Sequence, residues 1–238
     1  MLSKVKFLTL LFVLAGCSVA RQTGIEPAIS NKSEIPERLS GIDGILPMSF
    51  QLHDVPHNPR KQKGTDCAPD SLRMVLSYRG KNVAEQDIPR LLTSRGKGGG
   101  TSFYQMQEIA AKEYGLPSFV INNCDLDSIK AAIVSKLPPI IGYRSGGKYY
   151  HAVVAVGYDD EKRLMFVHDP NIVSVRKIRY SDLGGLSDEG IQRLSCLLVL
   201  PAGSTEASLM KDIEKHIPKD ITSKLSISSL YPTDSEKR

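Results

Sequence analysis

Four cysteines are all that the 238 residues contain, and no spacing among them resembles a zinc site. An internal repeat is lacking, which sets aside solenoid and propeller architectures. No RNA- or DNA-binding signature accompanies the basic residues, and the net charge of +5 is spread along the chain. It reads as a solvated basic surface rather than a nucleic-acid footprint. The apolar run from Phe7 to Ala15 is too short to span a bilayer as a mature helix. What is present is a globular composition, 41% apolar and 24% charged, at a length that favours one domain with appendages.

Lys4 and Lys6 precede that apolar run and Gly16-Cys17-Ser18 follow it, the shape of an export signal over residues 1–16. Leu14-Ala15-Gly16-Cys17 resembles the lipobox of bacterial lipoprotein precursors. That resemblance implies a lipidated Cys17 as the new first residue, a membrane as partner, and an envelope location. With Ser18 next, the location would be the periplasmic side of the outer membrane in a host with two membranes. A plain secretory signal is the competing reading. Residues 17–46 then form the lipidated end and a polar tether, 47–202 the domain, and 203–238 a helical but loose appendage ending in Ser, Lys and Asp.

Cys67, Cys124 and Cys196 remain in the mature chain, an odd number in a compartment where disulfides form, so one should stay free. A bridge between Cys124 and Cys196 is a pairing that the sequence allows and does not dictate.

The first half of the domain has helical periodicity: Asp70 to Tyr78 stopped by Gly80, Ala84 to Leu92, a capping box Ser102/Gln105 ahead of a helix ended by Gly115, and a helix opened by Asp125. After Pro138-Pro139 the period changes to strands at Ile140–Tyr143, Tyr149–Gly157, Leu164–His168, Val173–Arg179 and Leu194–Leu200. Helices first and an antiparallel sheet afterwards is an α+β layout with a cleft between the two parts.

Cys67 precedes Pro69 and an amphipathic helix, where the helix dipole and unpaired amides favour a thiolate. His151 opens a β-branched strand after a Gly-rich turn, and Asp169 ends the next apolar strand. Counting back across a turn at Asp159-Asp160 places residue 168 or 169 beside His151, so the aspartate can hold the imidazole tautomer. Strand alternation turns His168 to the opposite face from Asp169. His53, His57 and His216 stand in polar surroundings and read as surface residues. The loop Arg95 to Gly100 lacks the strand and the Gly-Lys-Ser/Thr ending of a phosphate-binding loop.

The stretches DCAPDSLRMVLSYRG, GTSFYQMQEIAAKEYGL, PPIIGYRSGGKYYHAVVAVGYD and FVHDPN resemble, in order and spacing, the leader-cleaving cysteine peptidases of bacteriocin transporters and their stand-alone relatives, family thirty-nine of the papain-like peptidases. The resemblance covers roughly Val55 to Pro170. It implies a papain-like fold, a peptide or protein substrate, no metal or organic cofactor, and catalytic positions at Cys67, His151 and Asp169. It further implies that Gln62 donates to the oxyanion beside the cysteine's own backbone N–H. The five-residue step from Gln62 to Cys67 is often one residue longer in the family, and Ala68 stands where relatives usually have glycine. A catalytically idle peptide-binding module and a thioester-forming amidase or transferase are the competing functions. The oligomeric state is not legible.

Overall fold

The computed structural model describes residues 46–57, 59, 67–88, 92, 101–145, 149–183 and 194–231. In chain order the elements are β1 (Ser49–Gln51), α1 (Cys67–Tyr78), α2 (Phe103–Lys112), β2 (Ser118–Cys124), α3 (Leu126–Val134), β3 (Ile140–Ser145), β4 (Tyr149–Asp159), β5 (Leu164–His168), β6 (Arg176–Arg179), β7 (Leu194–Val199), α4 (Glu206–Glu214), α5 (Lys219–Thr222) and β8 (Ser226–Leu230). The α+β layout is present, with one antiparallel sheet ordered β6-β5-β4-β3-β7-β2-β8 and β1 on β4.

Local chemistry explains the helix starts. Ser102 and Gln105 close the reciprocal capping box on α2, and Asp125 accepts from the Ser128 amide at 2.8 Å to open α3. Each cap is worth about 0.5–2 kcal/mol against alanine. Pro69 lies in the first turn of α1, where a missing N–H costs nothing. The apolar stripe of α1, Leu72, Val75 and Leu76, is fully buried, and the helix packs on β4, β3 and α2.

Several expectations need correction. β2 was not anticipated: Pro117 and Asn122-Asn123 bound the run, but Ser118 to Ile121 lack the alternation of a half-exposed strand, because four consecutive residues are buried. Residues 203–231, the described part of the segment beyond Ala202, are not loose. Leu209, Ile213 and Ile217 are buried, and β8 pairs with β2 in antiparallel register from Ser118↔Leu230 to Asn122↔Ser226. Its serine-rich composition concealed a sheet strand. The strand expected from Val173 begins at Arg176, and Val173 is 85% exposed. Of the helix expected over Ala84 to Leu92, Asp87 and Ile88 are helical, and Pro89 to Leu91 lie outside the described residues.

β1 runs along β4 beyond the end of β3, pairing Gln51 with Gly157. The approach is so close that a Cβ at residue 157 would sit 2.6 Å from the Phe50 carbonyl oxygen. Glycine is therefore required there for β1 to dock. This docking fixes the start of the arm that leads toward α1.

Candidate active site

Cys67 is the first residue of α1 and is partly exposed. One turn on, Ser71 Oγ donates a 3.1 Å hydrogen bond to the carbonyl of Ala152 and ties the helix start to β4 beside His151. The Cys67 and His151 side chains are hydrogen-bonded to each other, and the sulfur also meets the backbone of Ala152 and of Ala68. Burial alone would raise the thiol. The bond to His151, the two backbone groups and the imidazole's charge outweigh it and bring the thiol below its ordinary value.

His151 Nε2 lies 2.8 Å from Asp169 Oδ1, which leaves Nδ1 for the thiol. Burial alone would lower the imidazole. Its hydrogen bonds to Asp169 and Cys67 and their charges instead raise it to about 9. A depressed thiol and a raised imidazole are the directions that a thiolate–imidazolium pair requires. Tyr143 stands opposite His151 in the β3–β4 register, its ring edge-on at a centroid distance of 5.7 Å.

The Asp169 side chain is 1% exposed. Oδ1 also accepts from the Asn171 amide at 2.9 Å, and Oδ2 accepts from Arg176 Nη1 at 2.8 Å. Burial alone would raise this carboxyl. The hydrogen bonds from His151, Asn171 and Arg176 hold it down at about 2. Arg176 also lies over the Tyr143 ring, at 5.6 Å from the centroid.

The count across the hairpin differs from the observed register. The turn occupies Asp160 to Arg163, and a bulge falls between Ala155 and Gly157, so Val154, not His151, pairs with His168. Asp169 reaches His151 because the chain leaves β5 directly after His168. His168 does turn away from the pair: it is buried and stacks on His57 at 4.2 Å and 8°. Burial and the neighbouring His57 lower its imidazole to about 4. His57 is therefore half-buried, not a surface residue, and its Nε2 contacts the carbonyl of Asp169 at 3.1 Å.

The structure thus brings together Cys67, His151 and Asp169. Gln62, Cys17 and the loop Arg95 to Gly100 lie outside the described residues. Sequence reading missed Arg176, Asn171, His57 and Tyr143. Only Tyr143 had a usable signal, because counting equally outward from Gly147 in the sequence reaches both it and His151, which the β3–β4 register sets opposite each other. Among the described residues no group of three or more His, Cys, Asp or Glu is arranged to hold a metal ion.

No curated protein matches the chain. A family model described as Peptidase_C39 like family matches residues 46–185, more than half of the chain and a span that contains Cys67, His151 and Asp169.

Proposed function

Because the chain belongs to the Peptidase_C39 like family, with its papain-like α+β fold, we propose that it is a working cysteine peptidase in which Cys67, His151 and Asp169 carry the chemistry. The observation that supports this most is the unbroken hydrogen-bonded line from the thiol at the start of α1 through His151 to a buried carboxylate.

In this reading the Cys67 thiolate attacks a peptide carbonyl. The backbone N–H of Cys67 and the amide of Gln62 receive the oxyanion. His151, charged and oriented by Asp169, gives its proton to the leaving amine. Water, deprotonated by the same imidazole, then cleaves the thioester. The substrate is an exported peptide or protein. Lipidation of Cys17 and the tether over residues 17–46 would hold the domain at the cell envelope.

The test is alkylation of the purified protein by iodoacetamide across pH, beside the His151→Ala variant and with turnover of a peptide library. Cys67 should react at neutral pH far faster than an ordinary thiol with a pKa of about 8.5, and the variant should lose that advantage. Equal behaviour of the two proteins would sink the pair. Fast labelling without cleavage of any peptide would favour a binding module or a transferase. Mass spectrometry of the mature protein separately checks for acyl groups on Cys17.

A further inference from the structure

Cys124 ends β2 and Cys196 lies within β7, the strand beside it. The register is Ile121↔Cys196 and Cys124↔Leu194, with an irregularity in β2 between them. Asn123 takes a positive φ of 59° at that point. The extra bend moves Cys124 back toward Cys196, and the two sulfurs come within 3.6 Å of each other. Both residues are buried, at 1% and 2% exposure. Cys67 is partly exposed and already engaged with His151.

We propose that Cys124 and Cys196 form a disulfide that staples β2 to β7 and leaves Cys67 as the single free thiol of the domain. The distance supports it. Closing from 3.6 Å to a bonded length of about 2.05 Å takes roughly 0.8 Å from each sulfur, within reach of side-chain rotation at a bulged strand end. Elimination among three cysteines points the same way, because Cys67 is bound into a different set of partners.

The bridge needs an oxidant of the disulfide class, such as glutathione disulfide or a thiol oxidase. One cysteine, as thiolate, attacks the oxidant's disulfide and releases one of its sulfurs as a thiol. The other cysteine then attacks the mixed disulfide and releases the second. Two S–H bonds are lost, one S–S bond forms, and two electrons and two protons pass to the oxidant. In the reduced folded chain, Cys124 Sγ donates to the carbonyl of Ile121 at 3.4 Å. Burial excludes an oxidant from both sulfurs. The reaction therefore belongs to folding, before β2 is covered.

A consequence follows for the exposed thiol. While the oxidant is present, two accessible thiols would compete with the Cys67 thiolate for it. Either could also attack a mixed disulfide formed at Cys67, releasing the oxidant's second sulfur as a thiol and leaving a wrong bridge. Sequestering the pair in the sheet and joining it removes both competitors. The proposal does not depend on the peptidase reading and stands if Cys67 turns out to be inert.

The full chain is reduced in denaturant and refolded in a buffer of reduced and oxidised glutathione. After acid quenching, free thiols are alkylated and tryptic peptides are mapped without reduction. The expected result is one linked pair of peptides, carrying Cys124 and Cys196 and separating on reduction, with Cys67 alkylated or carrying glutathione alone. Recovery of Cys124 and Cys196 as separate alkylated or glutathione-bearing peptides would overturn the proposal, as would a bridge to Cys67. The oxidised chain should also unfold at a higher urea concentration than the reduced chain, and coincident midpoints would refute the stapling role.

Discussion

Arg176 and His151 share one carboxylate: Asp169 receives the guanidinium on Oδ2 and the imidazole on Oδ1, each at 2.8 Å. With the Asn171 amide also on Oδ1, both oxygens act only as acceptors. An asparagine could reproduce one side of that arrangement but not the other, since its NH2 group would face the Arg176 donor.

Asp169→Asn should therefore lose most activity, about 100-fold or more, although amide-bearing triads work elsewhere. Combining it with Arg176→Gln should recover part of the loss, because a glutamine oxygen can accept from the new amide. The check is a double-mutant cycle on kcat/KM. Strictly additive losses would show that the guanidinium does not select the carboxylate.

Arg176→Gln alone should destabilise the protein by about 1–3 kcal/mol, because it withdraws a partner from a buried carboxylate. Urea unfolding at pH 7 measures this. The substitution should also lift the Asp169 pKa from about 2, moving acid unfolding to higher pH.

The stability that Asp169 contributes has a defined pH window. Its folded pKa is depressed, about 2 against about 3.9 unfolded. The contribution, roughly 2–3 kcal/mol, is present above pH ~4 and lost as pH falls toward about 2. Asp169→Ala should flatten the stability profile in that range, as followed by circular dichroism.

His151 behaves in the opposite sense. Its folded pKa is raised to about 9, so the stability from its charged form is complete below pH ~6.5 and is lost as pH rises through about 9. Removing the thiol with Cys67→Ala should lower the His151 midpoint, because both the hydrogen bond and the negative charge of Cys67 help raise it. Titration of the imidazole proton signals by NMR reads the midpoint directly. An unchanged midpoint would mean that the two groups do not pair.

Gly157→Ala should cost about 1–3 kcal/mol, because its Cβ would meet the Phe50 carbonyl at 2.6 Å. Amide exchange should show the β1–β4 bonds opening first. An unchanged exchange rate at Leu52, whose N–H bonds Val156 at 2.7 Å, would refute the close approach.

The elements legible in the sequence were those with chemical punctuation: Ser102 with Gln105, Asp125, Gly80, and the paired glycines before β4. β2 and β8 were missed because the apolar run of β2 is too short for periodicity to tell strand from buried helix and β8 is mostly serine. Their status as strands comes from partners far along the chain, β7 and each other. The start of α1 was readable, and so was the pairing of Cys67 with His151. The hairpin count named Asp169 while misplacing the turn, so part of that agreement came from the bend after His168. Arg176 and His57 were invisible, since nothing in their neighbours marks a residue that meets Asp169 across a loop or from 112 residues away in the chain.

β2 lies between β7 and β8, strands that come much later in the chain. Its backbone groups find partners only when the C-terminal region has been made and delivered. A nascent chain that already carries Cys67, His151 and Asp169 still has an open sheet with an unpaired apolar strand at its edge. Maturation is thereby timed by the last strand, and truncation just ahead of Ser226 should yield a protein that aggregates rather than a shorter working one.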